Sequence, residues 1–493
     1  MRIMRIVNVI PNDHSNETNN DTEPNIAVNP NNPREMVITA FTPPDNPQGP
    51  GPIFVSTDGG ENWSLRFDVP FGEPNDQTVS FASTSNTLYM AIMRDDGITK
   101  RLYVLRGTDL STETTFPVLY PLEKVDRPWV QAISVIGGPD TGRDRIYIGY
   151  NEQAVVGEGH PGVQTARVLV FLDGLATAPT LVSLDKRDVD VGLQDGPTIC
   201  PVAHRDGTVY VAYQGWRHRD FSSGAIVAEI TVARDDNWGR NGFTNLIGND
   251  KKAGRIVAPV LIKEGSHLDC QRVGSDLNLA VDPFNSGILY IVWCDNTGPN
   301  YTLHVRRSLD RGVNWSPDLI TVDNATLACL AINSGDTVGL LYLQLASDQR
   351  QWETHFRTTT TTDGTTWDDT LLARTDLAPP ESSGRPCIGD YTRLVAVGPH
   401  FYGVFPAMNT PDPANFFPNG GGTFRYQRNT SGKVLVGNDG VTPVSSPSVD
   451  PFFFKILLPS SLRQFLQRRG IDPRRGLRSI RPPITSVRAF MGI

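Results

Sequence analysis

Carboxylic acids recur immediately before apolar segments that have the length and composition of β-strands. Six acids and one asparagine occupy this opening position: Glu23, Asp76, Asp126, Asp195, Asp276, Asn324 and Asp390. Carboxylates that converge from equivalent strands would repel one another, which raises some of their pKa values and attracts a cation, an ammonium group or a hydroxyl-rich sugar. The alternative is that each acid only caps its own strand by accepting hydrogen bonds from backbone amides.

The segments that follow these openings form a repeated unit. The segment 23–30 (EPNIAVNP) continues to 36–41 (MVITAF), and 276–283 (DLNLAVDP) continues to 289–293 (LYIVW). Five looser copies bring the number of units to seven. Self-similarity at a period of about 50 residues is typical of propellers and other repeat architectures.

A second signal is an octapeptide that occurs twice. Segments 56–63 (STDGGENW) and 308–315 (SLDRGVNW) both fit S-x-D-x-G-x-x-W, and 361–367 (TTDGTTW) is a shortened copy. Ser and Asp side chains bond backbone amides in tight turns, Gly adopts conformations that other residues avoid, and Trp covers the hairpin. The octapeptides resemble the Asp-box of BNR-repeat proteins, a group that includes sialidases.

This resemblance implies an all-β fold: a single β-propeller of four-stranded antiparallel blades. Seven units favour seven blades, whereas sialidases have six, so a six-bladed ring is the alternative. We expect an N-terminal segment at 1–22, the propeller at 23–459 and an Arg-rich tail with a short helix at 460–493. We also expect residues 3–10 to pair with 452–458 and close the ring, because both segments are apolar.

The resemblance also implies a sialidase-like glycoside hydrolase that acts on or binds glycans at the channel mouth. Sialidase chemistry uses a tyrosine nucleophile, a carboxylic acid/base and arginines that clamp the substrate. The catalytic candidates are Asp126, Asp276, Asp390 and Tyr391. The substrate-binding candidates are Glu23, Asp76, Arg127, Asp195, Arg272 and Arg385. The early Arg-Ile-Pro element of sialidases is missing, and the segment 23–26 (EPNI) stands in its place, so cleavage itself stays open.

The chain's end supports an alternative function. Residues 459–493 contain eight arginines and one aspartate, although the whole chain has a net charge of −8. Such a basic tail could dock a non-catalytic or structural propeller to a larger protein assembly.

The remaining expectations concern partners and location. No nucleotide-binding glycine motif and no apolar stretch of membrane-spanning length occurs, so we expect neither nucleic acid nor a membrane span. The five cysteines have no metal-ligand spacing, and we expect most of them to be buried as small apolar residues. A cation such as Ca²⁺ would suit the acidic channel mouth, but no metal site is assigned. The resemblance favours an extracellular location, although residues 1–10 do not form a classical signal peptide.

Overall fold

The strands form seven four-stranded antiparallel blades arranged in a ring, so the protein is a seven-bladed β-propeller and not a six-bladed one. The structure is a computed structural model. It describes residues 3–41, 51–69, 73–95, 100–112, 116–152, 166–176, 178–187, 198–263, 267–269, 271–274, 276–378, 387–416, 422–444 and 447–458. The predicted tail at 460–493 lies outside these residues.

The first four blades follow one another along the chain. Blade 1 contains Thr22–Val28, Met36–Phe41, Gly51–Ser56 and Ser64–Val69. Blade 2 contains Glu73–Phe81, Leu88–Asp95, Lys100–Gly107 and Val118–Glu123. Blade 3 contains Val125–Ser134, Asp144–Glu152, Ala166–Phe171 and Thr180–Ser183. Blade 4 contains Cys200–Ala203, Val209–Asp220, Ala225–Asp235 and Arg255–Lys263.

The last three blades complete the ring. Blade 5 contains Leu277–Val281, Leu289–Asp295, Thr302–Ser308 and Ile320–Asp323. Blade 6 contains Ala325–Ile332, Thr337–Leu345, Gln351–Thr360 and Asp368–Asp376. Blade 7 contains Arg393–Val397, His400–Met408, Val449–Leu457 and Ile3–Asn8, with Thr423–Arg425 added at its edge. Short hairpins pair His267–Leu268 with Gln271–Arg272 and Thr430–Ser431 with Val434–Leu435. The described 3-10 helices are Asn12–His14 and Pro413–Asn415, and no described helix is long and apolar enough to cross a membrane.

The core lies between neighbouring blades. Strands such as Leu289–Asp295 are buried along their whole length, because each blade packs against a neighbour on both faces. The strands therefore contain near-continuous apolar runs in place of a strict alternation of apolar and polar residues. Cys200, Cys294 and Cys329 are free and buried within this core, as predicted, whereas Cys387 is disulfide-bonded.

The two complete octapeptides form the same turn between the third and fourth strands of blades 1 and 5. In blade 1, Asp58 Oδ1 accepts hydrogen bonds from the backbone amides of Glu61 and Asn62, both at 3.0 Å. In blade 5, Asp310 Oδ1 accepts from the amide of Asn314 at 2.8 Å. These aspartates therefore stabilise a hairpin at the outer side of a blade.

The N-terminal strand closes the ring. Ile3–Asn8 pairs antiparallel with Val449–Leu457, with Ile6 opposite Phe454. Ile6 and Val7 are completely buried. The first and last strands of the described chain are therefore part of one blade.

A buried ionic network fixes the segment after this strand. Arg428 donates to both carboxylate oxygens of Asp450, at 3.1 and 3.0 Å, and to the backbone oxygens of Ser15 and Glu17. Burial, together with the charges of Asp21 and Asp450, raises the pKa of Glu17 from 4.5 to about 9. The Glu17 carboxyl is therefore protonated in the folded protein at neutral pH.

This pKa predicts that a Glu17→Gln variant is more stable than the wild type at pH 8. Between pH 4.5 and about 9 the folded carboxyl keeps a proton that the unfolded chain releases, so its contribution to stability falls as pH rises. Glutamine cannot ionise, and we expect a gain of about 1–3 kcal/mol at pH 8. Urea denaturation at pH 4, 6 and 8 measures it. The two proteins should agree at pH 4, and a difference independent of pH would contradict the prediction.

Candidate functional site

A group of charged side chains occupies the centre of the ring. Arg127, from blade 3, donates a hydrogen bond to Asp390, which immediately precedes blade 7. Blades 3 and 7 are not neighbours, so this ion pair bridges the ring's centre. Glu23, Asp76 and Asp126 also act electrostatically on Arg127. We call these five residues the central acidic cluster.

The cluster is buried and has more acids than bases. All five side chains are at least nine-tenths buried. Burial lowers the pKa of Arg127, but the four carboxylates outweigh this effect and raise it above its usual value. Lys100 adds a second cation, with Nζ 3.5 Å from Asp126 Oδ1. Among the described side chains, four carboxylates thus lie near two cations, Arg127 and Lys100.

A bulge at the start of the inner strands positions these acids. The pairing register shifts between Thr22 and Asn25 in blade 1, between Pro74 and Gln77 in blade 2, and between Asp126 and Trp129 in blade 3. Glu23 and Arg127 each occupy the first bulged position with a positive φ, 51° and 47°. Asp76 occupies the second bulged position, and Asp126 precedes the bulge. The predicted opening residues therefore occupy three different backbone positions, and the bulge brings them together.

Close backbone contact holds Asp390 in place. Its amide donates to Glu23 Oε1 at 3.2 Å. Gly389 has a φ of 86°, and a Cβ there would lie 2.6 Å from the Glu23 amide nitrogen, so only glycine fits between blades 7 and 1. Gln271 Nε2 donates to the Gly389 carbonyl at 2.6 Å, which anchors the same segment from the side of blade 5.

Tyr391 is packed below the cluster with its hydroxyl occupied. The hydroxyl oxygen accepts a hydrogen bond from the Gln77 amide at 3.2 Å, and the ring makes an edge contact with Trp129, with centroids 5.7 Å apart. Burial, together with the charges of Asp76 and Glu23, raises the pKa of Tyr391 well above its usual value. These surroundings disfavour the phenolate that a nucleophile requires.

Asp276 lies at a different place, between blades 5 and 6. It accepts hydrogen bonds from the Tyr301 hydroxyl at 2.7 Å, the Thr326 hydroxyl at 3.0 Å and the Ala328 amide at 3.2 Å. Burial raises its pKa even though these bonds lower it. Asp276 thus neither joins the central acidic cluster nor caps its own strand, because its hydrogen bonds join two neighbouring blades.

The other predicted residues are placed as follows. Asp195 and Arg385 lie outside the described residues, and the backbone of Arg272 belongs to the strand Gln271–Arg272. Asn324 has a φ of 56° in the turn that precedes blade 6, where its amide donates to the Tyr301 carbonyl at 2.7 Å. Lys124 adopts the same conformation before blade 3, so Asn324 is a turn residue.

Sequence reasoning missed Lys100, Gln77 and Trp129. Arg127 Nη1, Gln77 Oε1 and Trp129 Nε1 are buried and have no hydrogen-bond partner among the described residues. Buried polar atoms without a partner cost free energy, so they bind water or a ligand readily. Gln77 and Trp129 directly follow the bulges in blades 2 and 3. Their place at the site can be predicted from the sequence only when the position of each bulge is known. Within the described residues, no group of three or more His, Cys, Asp or Glu side chains could hold a metal ion.

Comparison with known proteins finds similar solved structures, and the three described below are 11–14% identical to this chain. No protein-family model matches the sequence, and neither does any curated protein. A protein of unknown function from Dyadobacter fermentans has 14% identity and a TM-score of 0.42, with 92% of this chain and 98% of that chain covered. The GH93 α-L-arabinofuranosidase of Fusarium graminearum, in complex with arabinobiose, has 11% identity and a TM-score of 0.40, covering 89% and 97%. Sqt1 from Chaetomium thermophilum has 12% identity and a TM-score of 0.40, covering 92% and 98%.

Proposed function

We propose that the protein binds a carbohydrate at the central acidic cluster. The observation that carries this proposal is the buried guanidinium of Arg127, which carboxylates from different blades surround and which still has an unpartnered Nη1. If these acids only capped their own strands, local hydrogen bonds to backbone amides would be sufficient. Bringing these charges together at the ring's centre costs desolvation energy, which suggests a role in recognition.

The charge balance favours a neutral or amino sugar. Carboxylates accept strong hydrogen bonds from sugar hydroxyls, and an unpartnered guanidinium N–H donates to ring or hydroxyl oxygens. A sialic acid carboxylate would be repelled by the excess of acids, and Arg127 is already paired with Asp390. The buried, protonated Tyr391 does not support a sialidase-type nucleophile either. We therefore propose carbohydrate binding as the function, and a separate experiment tests whether the protein also cleaves the sugar.

The test is an array of neutral, amino and sialylated oligosaccharides probed with wild-type protein and Asp126→Asn. We expect at least one neutral or amino sugar to bind, and Asp126→Asn to weaken that binding about tenfold or more, because a charge-assisted hydrogen bond is lost. Asp348→Asn, in an exposed turn of blade 6, is the matched control and should bind as the wild type does.

Hydrolysis of 4-nitrophenyl glycosides by the same proteins distinguishes an enzyme from a binding protein. Turnover that Asp126→Asn abolishes would add glycoside hydrolysis to the proposed function. No binding to any sugar by the folded wild type would overturn the proposal. It would favour the second function, in which the basic tail at 460–493 docks the propeller to a larger assembly.

A further inference from the structure

One hairpin of blade 4 rises above the face that carries the central acidic cluster. Val209–Asp220 pairs with Ala225–Asp235, whereas the described inner strand, Cys200–Ala203, is short. Cys200 lies opposite Ala212, so the hairpin continues from there to Asp220. The inner strands start at the cluster face, and Val209–Asp220 runs antiparallel to its inner strand. The tip therefore lies on the cluster face.

The tip presents an exposed aromatic side chain on a hydrogen-bonded turn. Phe221 has 77% of its side chain exposed, the largest exposed fraction among the large apolar residues described. Asp220 accepts hydrogen bonds from the Ser222 amide at 2.9 Å and from the hydroxyls of Ser222 and Ser223, both at 2.7 Å. The turn is therefore ordered before any ligand arrives, which lowers the entropy cost of binding.

Cation–π contacts of Arg219 connect this tip to the buried part of the hairpin. The Arg219 guanidinium lies 4.9 Å from the Phe221 ring centroid and 5.9 Å from that of Trp216. Trp216 belongs to the same buried cluster as Trp129 and Tyr391, which pack beside the acidic residues. The buried cluster that contains Trp129 and Tyr391 thus reaches this hairpin at Trp216, and Arg219 lies between Trp216 and the tip.

We propose that Phe221 and Arg219 form a distal subsite for an extended carbohydrate chain whose other end occupies the central acidic cluster. This inference rests on the proposed function. Arg219 covers one face of the Phe221 ring, and the other face is free to stack on the apolar face of a sugar ring. A single ring suits one sugar unit, whereas a stable protein interface buries about 800 Å² on each partner. The neighbouring Ser222 and Ser223 hydroxyls donate to Asp220, and their oxygens can still accept hydrogen bonds from the sugar's edge.

Affinity electrophoresis in gels containing arabinan, xylan, xyloglucan, laminarin or pullulan tests the subsite. We expect at least one polysaccharide to retard the wild type, and Phe221→Ala to weaken that retardation about tenfold or more, because burial of an aromatic surface is lost. Arg219→Ala should weaken it in the same gel. Val441→Ala removes an apolar side chain that is 76% exposed in another loop, and it should migrate as the wild type does.

Asp126→Asn, run in the same gels, separates the two proposals. Retardation that Asp126→Asn weakens but Phe221→Ala leaves unchanged would overturn the distal subsite and leave the central site standing. Retardation that only the hairpin variants weaken would show carbohydrate binding at the hairpin alone, which contradicts the central site and overturns the extension of one chain between the two. No retardation of the wild type by any of the five polysaccharides would overturn the subsite, while the oligosaccharide array would still test the central site.

Discussion

An Arg127→Met variant is expected to lose about 3–5 kcal/mol of unfolding free energy at pH 7, because removing one partner leaves buried charge uncompensated. Asp390 would lose its ion pair, and three further carboxylates would lose the cation that offsets their repulsion. The same change should abolish sugar binding. Urea denaturation followed by circular dichroism measures the stability.

Arg145→Met is the matched control for this prediction. Arg145 is also buried, but it pairs with one partly exposed carboxylate, that of Asp140, at 2.6 Å. The Arg145→Met variant should lose clearly less unfolding free energy than Arg127→Met, because Asp140 remains hydrated. Arg127→Lys keeps the charge and should recover part of the lost stability. An Arg127→Met protein within about 1 kcal/mol of the wild type would contradict the assignment of a buried, charge-balancing arginine.

Removal of residues 1–8 is expected to open the ring. The truncated protein would lose the burial of Ile6 and Val7, each worth about 2–4 kcal/mol, and would expose the edge of Val449–Leu457. We expect a loss of about 5 kcal/mol or more, accompanied by self-association through the exposed edge. Denaturation curves and size-exclusion chromatography report both effects.

Point variants in the same strand separate the contribution of buried packing from that of a surface ion pair. Ile6→Ala should cost about 2–4 kcal/mol, because Ile6 is completely buried. Arg5→Ala, which removes a partly exposed ion pair with Glu61, should cost at most about 1 kcal/mol. Equal effects of the two substitutions would show that burial against blade 7 is not what closes the ring.

The sequence predicted the architecture because the blade units repeat. Apolar pairs of strands at similar spacing indicated seven blades, and seven are present. The octapeptide turns were readable for the same reason, since Ser, Asp and Gly act within a few residues of one another. Local rules therefore suffice for a blade and for its turns.

The site was predicted less well, because long-range geometry determines it. Glu23, Asp76, Asp126, Arg127 and Asp390 do meet, but Asp276 faces a blade interface even though it opens a closely similar unit. The two-residue bulge decides which side chain points inward, and no sequence pattern marked it. Lys100 comes from the third strand of blade 2, and nothing around it in the sequence suggested a partner at Asp126.

The closure of blade 7 has a consequence for synthesis. Ile3–Asn8 is synthesised before the other described strands, yet its partner, Val449–Leu457, is made only after the first six blades. Val7 can pack early against blade 1, but Met4 and Ile6 belong to a buried cluster whose other members all come from residue 268 onwards. Their final contact with Val449–Leu457 spans nearly the whole described chain, which makes its formation slow. The nascent protein can therefore complete its ring only after that last strand has been made.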